Sequence, residues 1–129
     1  MPHLTVEYSG NLDGHLDMAA FCRALRQAIL DTGLFELGAV RVRALRAEHF
    51  AIADLLPENA FVDMSFRVGT GRSEADRKAA GDRIFRVAED FCAGLLASPH
   101  FALSLEIREI NSSFSWKRNA MHPRLRDQA

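Results

Sequence analysis

Pro2, directly behind Met1, is the residue of this 129-residue chain that could do the most chemistry. If Met1 is removed, the ring nitrogen becomes a secondary amine at the head of the strand-like run Pro2-His3-Leu4-Thr5-Val6-Glu7-Tyr8. Chain termini usually fray, but this one is pinned by the strand that begins with it. An α-amino group titrates near roughly 7.7 to 8.0, and burial or neighbouring cations lower that value, which suits a base that moves a proton at neutral pH. The alternative is structural: proline permits removal of Met1 and opens a strand where its missing N–H costs nothing. Three arginines could serve the same chemistry. Arg41 and Arg43 share one face of a second strand-like run, and Arg72 closes the loop Gly69-Thr70-Gly71 at the foot of a helix pattern. Guanidinium groups bind carboxylates bidentately, glycines let a ligand approach the backbone, and a helix N-terminus adds amide donors. On their own, the same residues also read as a solvated strand face and a plain capped turn.

The hydrophobic period along the chain alternates between two and about 3.6, which gives strands and helices that could position these residues. Leu4, Val6 and Tyr8 alternate with His3, Thr5 and Glu7 as a half-buried strand, and Ser9-Gly10-Asn11 turns the chain. Met18, Phe21, Cys22, Leu25, Ala28 and Ile29 predict an amphipathic helix from about Leu16 to Asp31, closed by Gly33. Val40, Val42 and Ala44 alternate with Arg41, Arg43 and Leu45 as a second strand, and a connector with Pro57 and Asn59 ends the unit.

The same order then repeats. Ala60 to Val68 alternates as a strand, Ser73 and Asp76 form a capping pattern, a helix runs to about Ala97, and Phe101, Leu103, Leu105 and Ile107 mark a fourth strand. This predicts an α+β (α/β) fold in a single domain over 1–129. Residues 2–59 and 60–110 are consecutive β-α-β units with right-handed parallel crossovers, sharing one four-stranded mixed sheet with both helices on one face. The other face is left bare, and apolar side chains on it would call for oligomerisation. Residues 111–129 form a polar, basic tail carrying Phe114 and Trp116, placed at a subunit interface.

Sixteen Lys and Arg against 17 Asp and Glu give no global basic field, which argues against a nucleic-acid partner. No apolar run approaches the roughly 20 residues of a membrane span, and the first residues do not look like a leader, so a cytoplasmic protein without membrane contact is expected. Cys22 and Cys92 fall in helical patterns beside apolar residues and read as reduced core thiols. His3, His15, His49, His100 and His122 lack paired ligand spacing, so no metal site is expected.

Taken together, the proline after Met1, the strand PHLTVE, a first helix ending in TGLF, GAVRVRA, FVDMSFRVGTGRS leading into a long helix, ALSLEIREI, and a polar tail with Asn119 and His122 carry a resemblance. They resemble the 5-carboxymethyl-2-hydroxymuconate isomerases of the tautomerase superfamily, to which 4-oxalocrotonate tautomerase and macrophage migration inhibitory factor also belong. The resemblance implies a homotrimer that uses its N-terminal proline as a general base without metal or cofactor. It matches Pro2 to the catalytic proline, Arg41 to the strand arginine and Arg72 to the glycine-loop arginine. Arg43, Phe114 and Trp116 are further candidate substrate contacts. The substrate it implies is a dienol tricarboxylate from homoprotocatechuate (4-hydroxyphenylacetate) breakdown, ketonised by moving a proton along the conjugated chain. Two other readings remain open: a tautomerase of another enol dicarboxylate or an aryl pyruvate, and a non-catalytic trimeric binding protein that keeps Pro2 as a remnant.

Overall fold

The computed structural model of the chain describes residues 1–127, so the last two residues of the expected tail lie outside the described residues. Four strands, β1 (His3–Ser9), β2 (Arg41–Ala47), β3 (Ala60–Val68) and β4 (Phe101–Glu109), form one mixed sheet in the order β2-β1-β3-β4. β1 and β2 are parallel and joined through α1 (Met18–Asp31), while β3 and β4 are parallel and joined through α2 (Glu74–Phe91) and the short α3 (Ala93–Leu96). The units meet antiparallel at β1 and β3. This is the α+β architecture that the alternating periods predict. Beyond β4, the tail carries a 3-10 turn at Ser112–Phe114 and a final helix, α4 (Met121–Arg126).

Local chemistry sets the element ends. The Asp17 carboxylate accepts the Ala20 N–H at 3.0 Å and caps α1, and Gly33 leaves the helix at φ +72, a conformation glycine adopts without steric cost. The Ser73 hydroxyl accepts the Asp76 N–H at 3.0 Å, as the sequence pattern predicts, and opens α2. The regular helix does not run to Ala97: Cys92 interrupts it at φ −96, ψ 16, and only α3 continues.

Alternation decides what is buried. Leu4 and Val6 of β1 and Val62, Met64, Phe66 and Val68 of β3 face the helices and pack with Phe21, Leu25 and Ile29 of α1 and Ile84 and Ala88 of α2. Phe21 stacks on Phe91, with ring centroids 4.9 Å apart, and so ties the two helices to each other. Cys92 is buried and Cys22 partly so, both as free thiols, and burial raises both pKa values, that of Cys92 to about 11. The thiolate is the reactive form, and burial disfavours it at both positions.

The bare sheet face corrects one expectation. It is not apolar: Leu45 and Phe61 share it with Glu7, Arg43, Asp63, Arg67, Glu106 and Arg108, and the Ser104 hydroxyl donates to Asp63 at 2.6 Å. Charged and hydroxyl side chains stay solvated there at little cost, so this face does not by itself require covering. Exposed apolar surface gathers instead in the connector after β2, with Leu55 72% exposed, and in the tail, with Phe114 75% and Trp116 86% exposed.

Phe66 is fully buried and its neighbour Phe35 meets it edge-on at 5.5 Å. Phe66→Ala is expected to lower the unfolding free energy by about 3–5 kcal/mol, read as a lower chemical-denaturation midpoint with an unchanged slope.

Candidate active site

Pro2 precedes β1 by one residue. Its side chain is fully buried, and its carbonyl accepts the Arg41 N–H at 3.1 Å, so the start of β2 is bonded to the start of β1. Because β3 runs antiparallel to β1, its C-terminal end and the loop from Gly69 to Arg72 arrive at the same edge. Because β4 is parallel to β3, the tail leaves from that edge as well. Three other parts of the sequence therefore converge on Met1 and Pro2.

Two cavities meet there. One, of about 730 Å³, is lined by Met1, His3, Arg67, Gly69, Thr70 and the tail residues Phe114, Trp116, Lys117 and Arg118 among others. The second, of about 320 Å³, is lined by Met1, Pro2, Phe35, Glu36, Ala39, Arg72, Lys117, Asn119 and His122. Met1 and Lys117 belong to both and form the wall between them.

Arg72 is held from three sides. It donates to the Leu34 carbonyl through Nη2 at 3.0 Å and Nε at 3.3 Å and to the Gly69 carbonyl through Nη1 at 3.4 Å, and it lies 4.2 Å above the Phe35 ring. Gly71, at φ +106, makes the turn that delivers it. Arg41 donates from Nη1 to the Ala39 carbonyl at 2.8 Å and to the Met1 sulfur at 3.0 Å. Among the described residues lining the cavities, Glu36 is the one carboxylate. It is engaged by Arg126, at 2.7 Å for one of two contacts, and by His122 at 3.4 Å, and the Arg126 hydrogen bond leads in holding its pKa below the usual carboxylate value.

The surplus of positive charge acts on the terminus. Burial lowers the pKa of the Met1 α-amine, and Lys117, Arg72, Arg41 and Arg67 lower it further. His3 is pushed down in the same sense by burial and then by Arg67, Arg43 and Arg41. An amine in such a chamber favours its neutral, basic form, and the surrounding guanidinium and ammonium groups favour a small polyanion.

Of the residues singled out in the sequence, Pro2, Arg41 and Arg72 come together. Phe114 and Trp116 line the larger cavity but stay largely exposed. Neither Arg41 nor Arg43 lines a cavity, but Arg41 reaches the Met1 sulfur, whereas Arg43 lies on the open sheet face, with Nη1 3.4 Å from His3 Nδ1. β-strand alternation puts Arg41 and Arg43 on one face, but only Arg41 stands level with the chain terminus. Sequence reasoning missed Arg67, Lys117, Arg118 and Asn119 as site residues. Phe35, within the TGLF segment, was the visible trace of the Arg72 seat. No spacing rule folds the tail back over Met1.

Two β-α-β units meeting antiparallel at β1 and β3 give the fold shared by proteins of the tautomerase superfamily. A macrophage migration inhibitory factor-like protein from Entamoeba histolytica has the same fold (TM-score 0.59, 10% identity, covering 92% of this chain and 96% of that one). The model of the 5-carboxymethyl-2-hydroxymuconate isomerase family matches residues 2–125. A 5-carboxymethyl-2-hydroxymuconate Delta-isomerase of Escherichia coli is 32% identical over 122 residues, 95% of this chain and 97% of that protein. The crystal structure of a 5-carboxymethyl-2-hydroxymuconate isomerase from Deinococcus radiodurans R1 is 36% identical, with TM-score 0.90, covering 96% of this chain and 93% of that one. The chain belongs to the 5-carboxymethyl-2-hydroxymuconate isomerase family, and it is an isomerase.

Replacing Arg41 or Arg72 with alanine is expected to lower kcat/KM for isomerisation of an enol carboxylate by about one to two decades, the worth of one charge-assisted contact. Circular dichroism should be unchanged. Wild-type kinetics in both variants would return these arginines to a purely structural role.

Proposed function

We propose that the protein ketonises 5-carboxymethyl-2-hydroxymuconate, a dienol tricarboxylate of homoprotocatechuate breakdown, with the Pro2 nitrogen as general base once Met1 has been removed. The observation that carries this reading is the meeting of two cation-lined cavities at the Met1–Pro2 junction, with Arg41 and Arg72 on either hand. A trianion suits a chamber lined by Arg67, Arg72, Lys117 and Arg118, and the family's named relatives bear the same substrate in their names.

In this reading the free amine takes the enol O–H proton. The oxygen's electron pair becomes the carbonyl as the double bonds shift, and the protonated amine returns the proton to a carbon of the conjugated chain. Arg41 and Arg72 hold carboxylates and stabilise the dienolate through which the proton passes. Burial and the same cations that lower the pKa of the Met1 amine would act in the same direction on a free Pro2 nitrogen and favour its neutral form. Phe114 and Trp116 supply apolar contact at the outer cavity, and a homotrimer would cover them along with the connector that carries Leu55.

A sample that retains Met1, verified by mass spectrometry, has an amide at Pro2 and should fold yet be nearly inactive. Full activity in that sample would overturn the mechanism and move the search for a base to Glu7, Asp63 or Glu106. Pro2→Ala keeps an amine in nearly the same place and should retain part of the rate. In the processed enzyme, kcat/KM should be full above the pKa of the amine and fall as pH drops through it. Arg72→Ala removes a cation that lowers this pKa, so the acid limb should move to higher pH. Light scattering at low micromolar concentration should give the mass of a trimer, and a monodisperse monomer would refute that part of the reading.

A further inference from the structure

Met1 lies where two side-chain donors are aimed at one point. Arg41 Nη1 approaches the Met1 sulfur at 3.0 Å and Asn119 Nδ2 approaches it at 3.7 Å. A thioether is a weak acceptor, whereas both donors are firmly held. Arg41 Nη1 uses its other hydrogen on the Ala39 carbonyl at 2.8 Å, and Asn119 Nδ2 uses its other hydrogen on the Gly38 carbonyl at 2.7 Å. Both carbonyls belong to the 3-10 turn Leu37–Ala39 just ahead of β2. The Asn119 Oδ1 atom accepts the Met121 N–H at 2.9 Å, so the amide cannot flip without losing both of these bonds. One N–H of each side chain is therefore left to point at the position of the methionine sulfur.

The seat of Asn119 is itself built closely. A Cβ on Gly38 would lie 2.9 Å from His122 Nδ1 and 3.5 Å from the His122 Cα, so the absence of a side chain at 38 lets the segment from Asn119 to His122 settle against the turn. The first residues of β2 and the tail are thus joined around a single acceptor position next to Pro2.

We propose that Asn119 is a substrate-binding residue that, together with Arg41, takes one carboxylate oxygen of the substrate at the point filled by the Met1 sulfur. This rests on the reading that Met1 is removed in the working enzyme. Two converging donors, one of them charged, fit a carboxylate oxygen best and reject an ammonium group, which has no lone pair to offer. Lys117, in the wall common to both cavities, adds charge but no fixed direction. In this arrangement Arg41 supplies the charge and Asn119 fixes where the oxygen sits.

The test is calorimetric binding of propane-1,2,3-tricarboxylate, an unreactive trianion, to mass-verified protein lacking Met1. Asn119→Ala should weaken binding about tenfold, as expected for a lost hydrogen bond to a charged acceptor. The double variant Arg41→Ala/Asn119→Ala should lose less than the product of the two single losses, since both donors share one oxygen. Wild-type protein that retains Met1 should bind the trianion more weakly than the processed form. An unchanged affinity in Asn119→Ala, a double-variant loss equal to the product, or equal affinity with and without Met1 would overturn the proposal. A residue that only anchors the tail would weaken binding by the same factor in protein that retains Met1, where the direct contact is blocked. Because the ligand does not react, these outcomes are independent of whether Pro2 is the base.

Discussion

His3 sits between Arg41 of β2 and Arg67 of β3 in the sheet register, and this three-strand alignment at the head of β1 is the constraint on which the functional end of the molecule depends. β1 is a central strand, hydrogen-bonded on both sides, so its first residues cannot fray as an edge strand's would. The bond from the Arg41 N–H to the Pro2 carbonyl extends that order one residue beyond the strand. A slip of one residue would turn Leu4, Val6 and Tyr8 out of the core and turn Arg41 away from Met1. The fully buried Leu4 and Val6 oppose any such slip. Core packing in the middle of the sheet thereby fixes the position of a nitrogen at its end.

The same alignment gathers like charges. Arg41, Arg67, Arg72 and Lys117 all lie near enough to the chain terminus to lower the pKa of its amine. Their mutual repulsion disfavours the free protein. The structure meets this in two ways. Backbone carbonyls of Leu34, Gly69 and Ala39 accept from Arg72 and Arg41, and the Phe35 ring offers its face to Arg72. Those partners are neutral, so they orient the guanidinium groups while leaving their charge uncompensated. Glu36, the carboxylate within reach, is occupied by Arg126 and His122. The chamber therefore keeps a positive field that a polyanionic ligand can neutralise.

The tail has a different dependence. It makes no core, and its apolar residues Phe114 and Trp116 stay exposed. It is fastened chiefly through Asn119 to Gly38 and through Arg126 to Glu36, both on the short segment between α1 and β2. The first β-α-β unit thus supplies the anchor for a segment that follows the second, and the large cavity exists only because that connection folds the tail over Met1.

Much of this was legible in the residues themselves. Alternation in β1 and β3 marks their buried faces, the Ser73–Asp76 pattern marks the start of α2, and Gly33 marks the end of α1, because these signals are set by neighbours within a few residues. Pro2, Arg41 and Arg72 could be picked out because each combines an unusual residue type with a strand start or a glycine loop. The polarity of the bare face was also present in the sequence, since alternation puts His3, Glu7, Asp63 and Arg67 on the face opposite the core. Arg43 shares the periodicity of Arg41, and only strand register separates them. The seat of Arg72 on the Leu34 carbonyl and the Phe35 ring, and the reach of Asn119 across 81 residues to Gly38, depend on contacts between segments distant in sequence. Local pattern therefore determined the elements and offered candidates for the chemistry, while the tertiary structure decided which charges share one chamber, because proximity across strands and tail is a property of packing that no local period encodes.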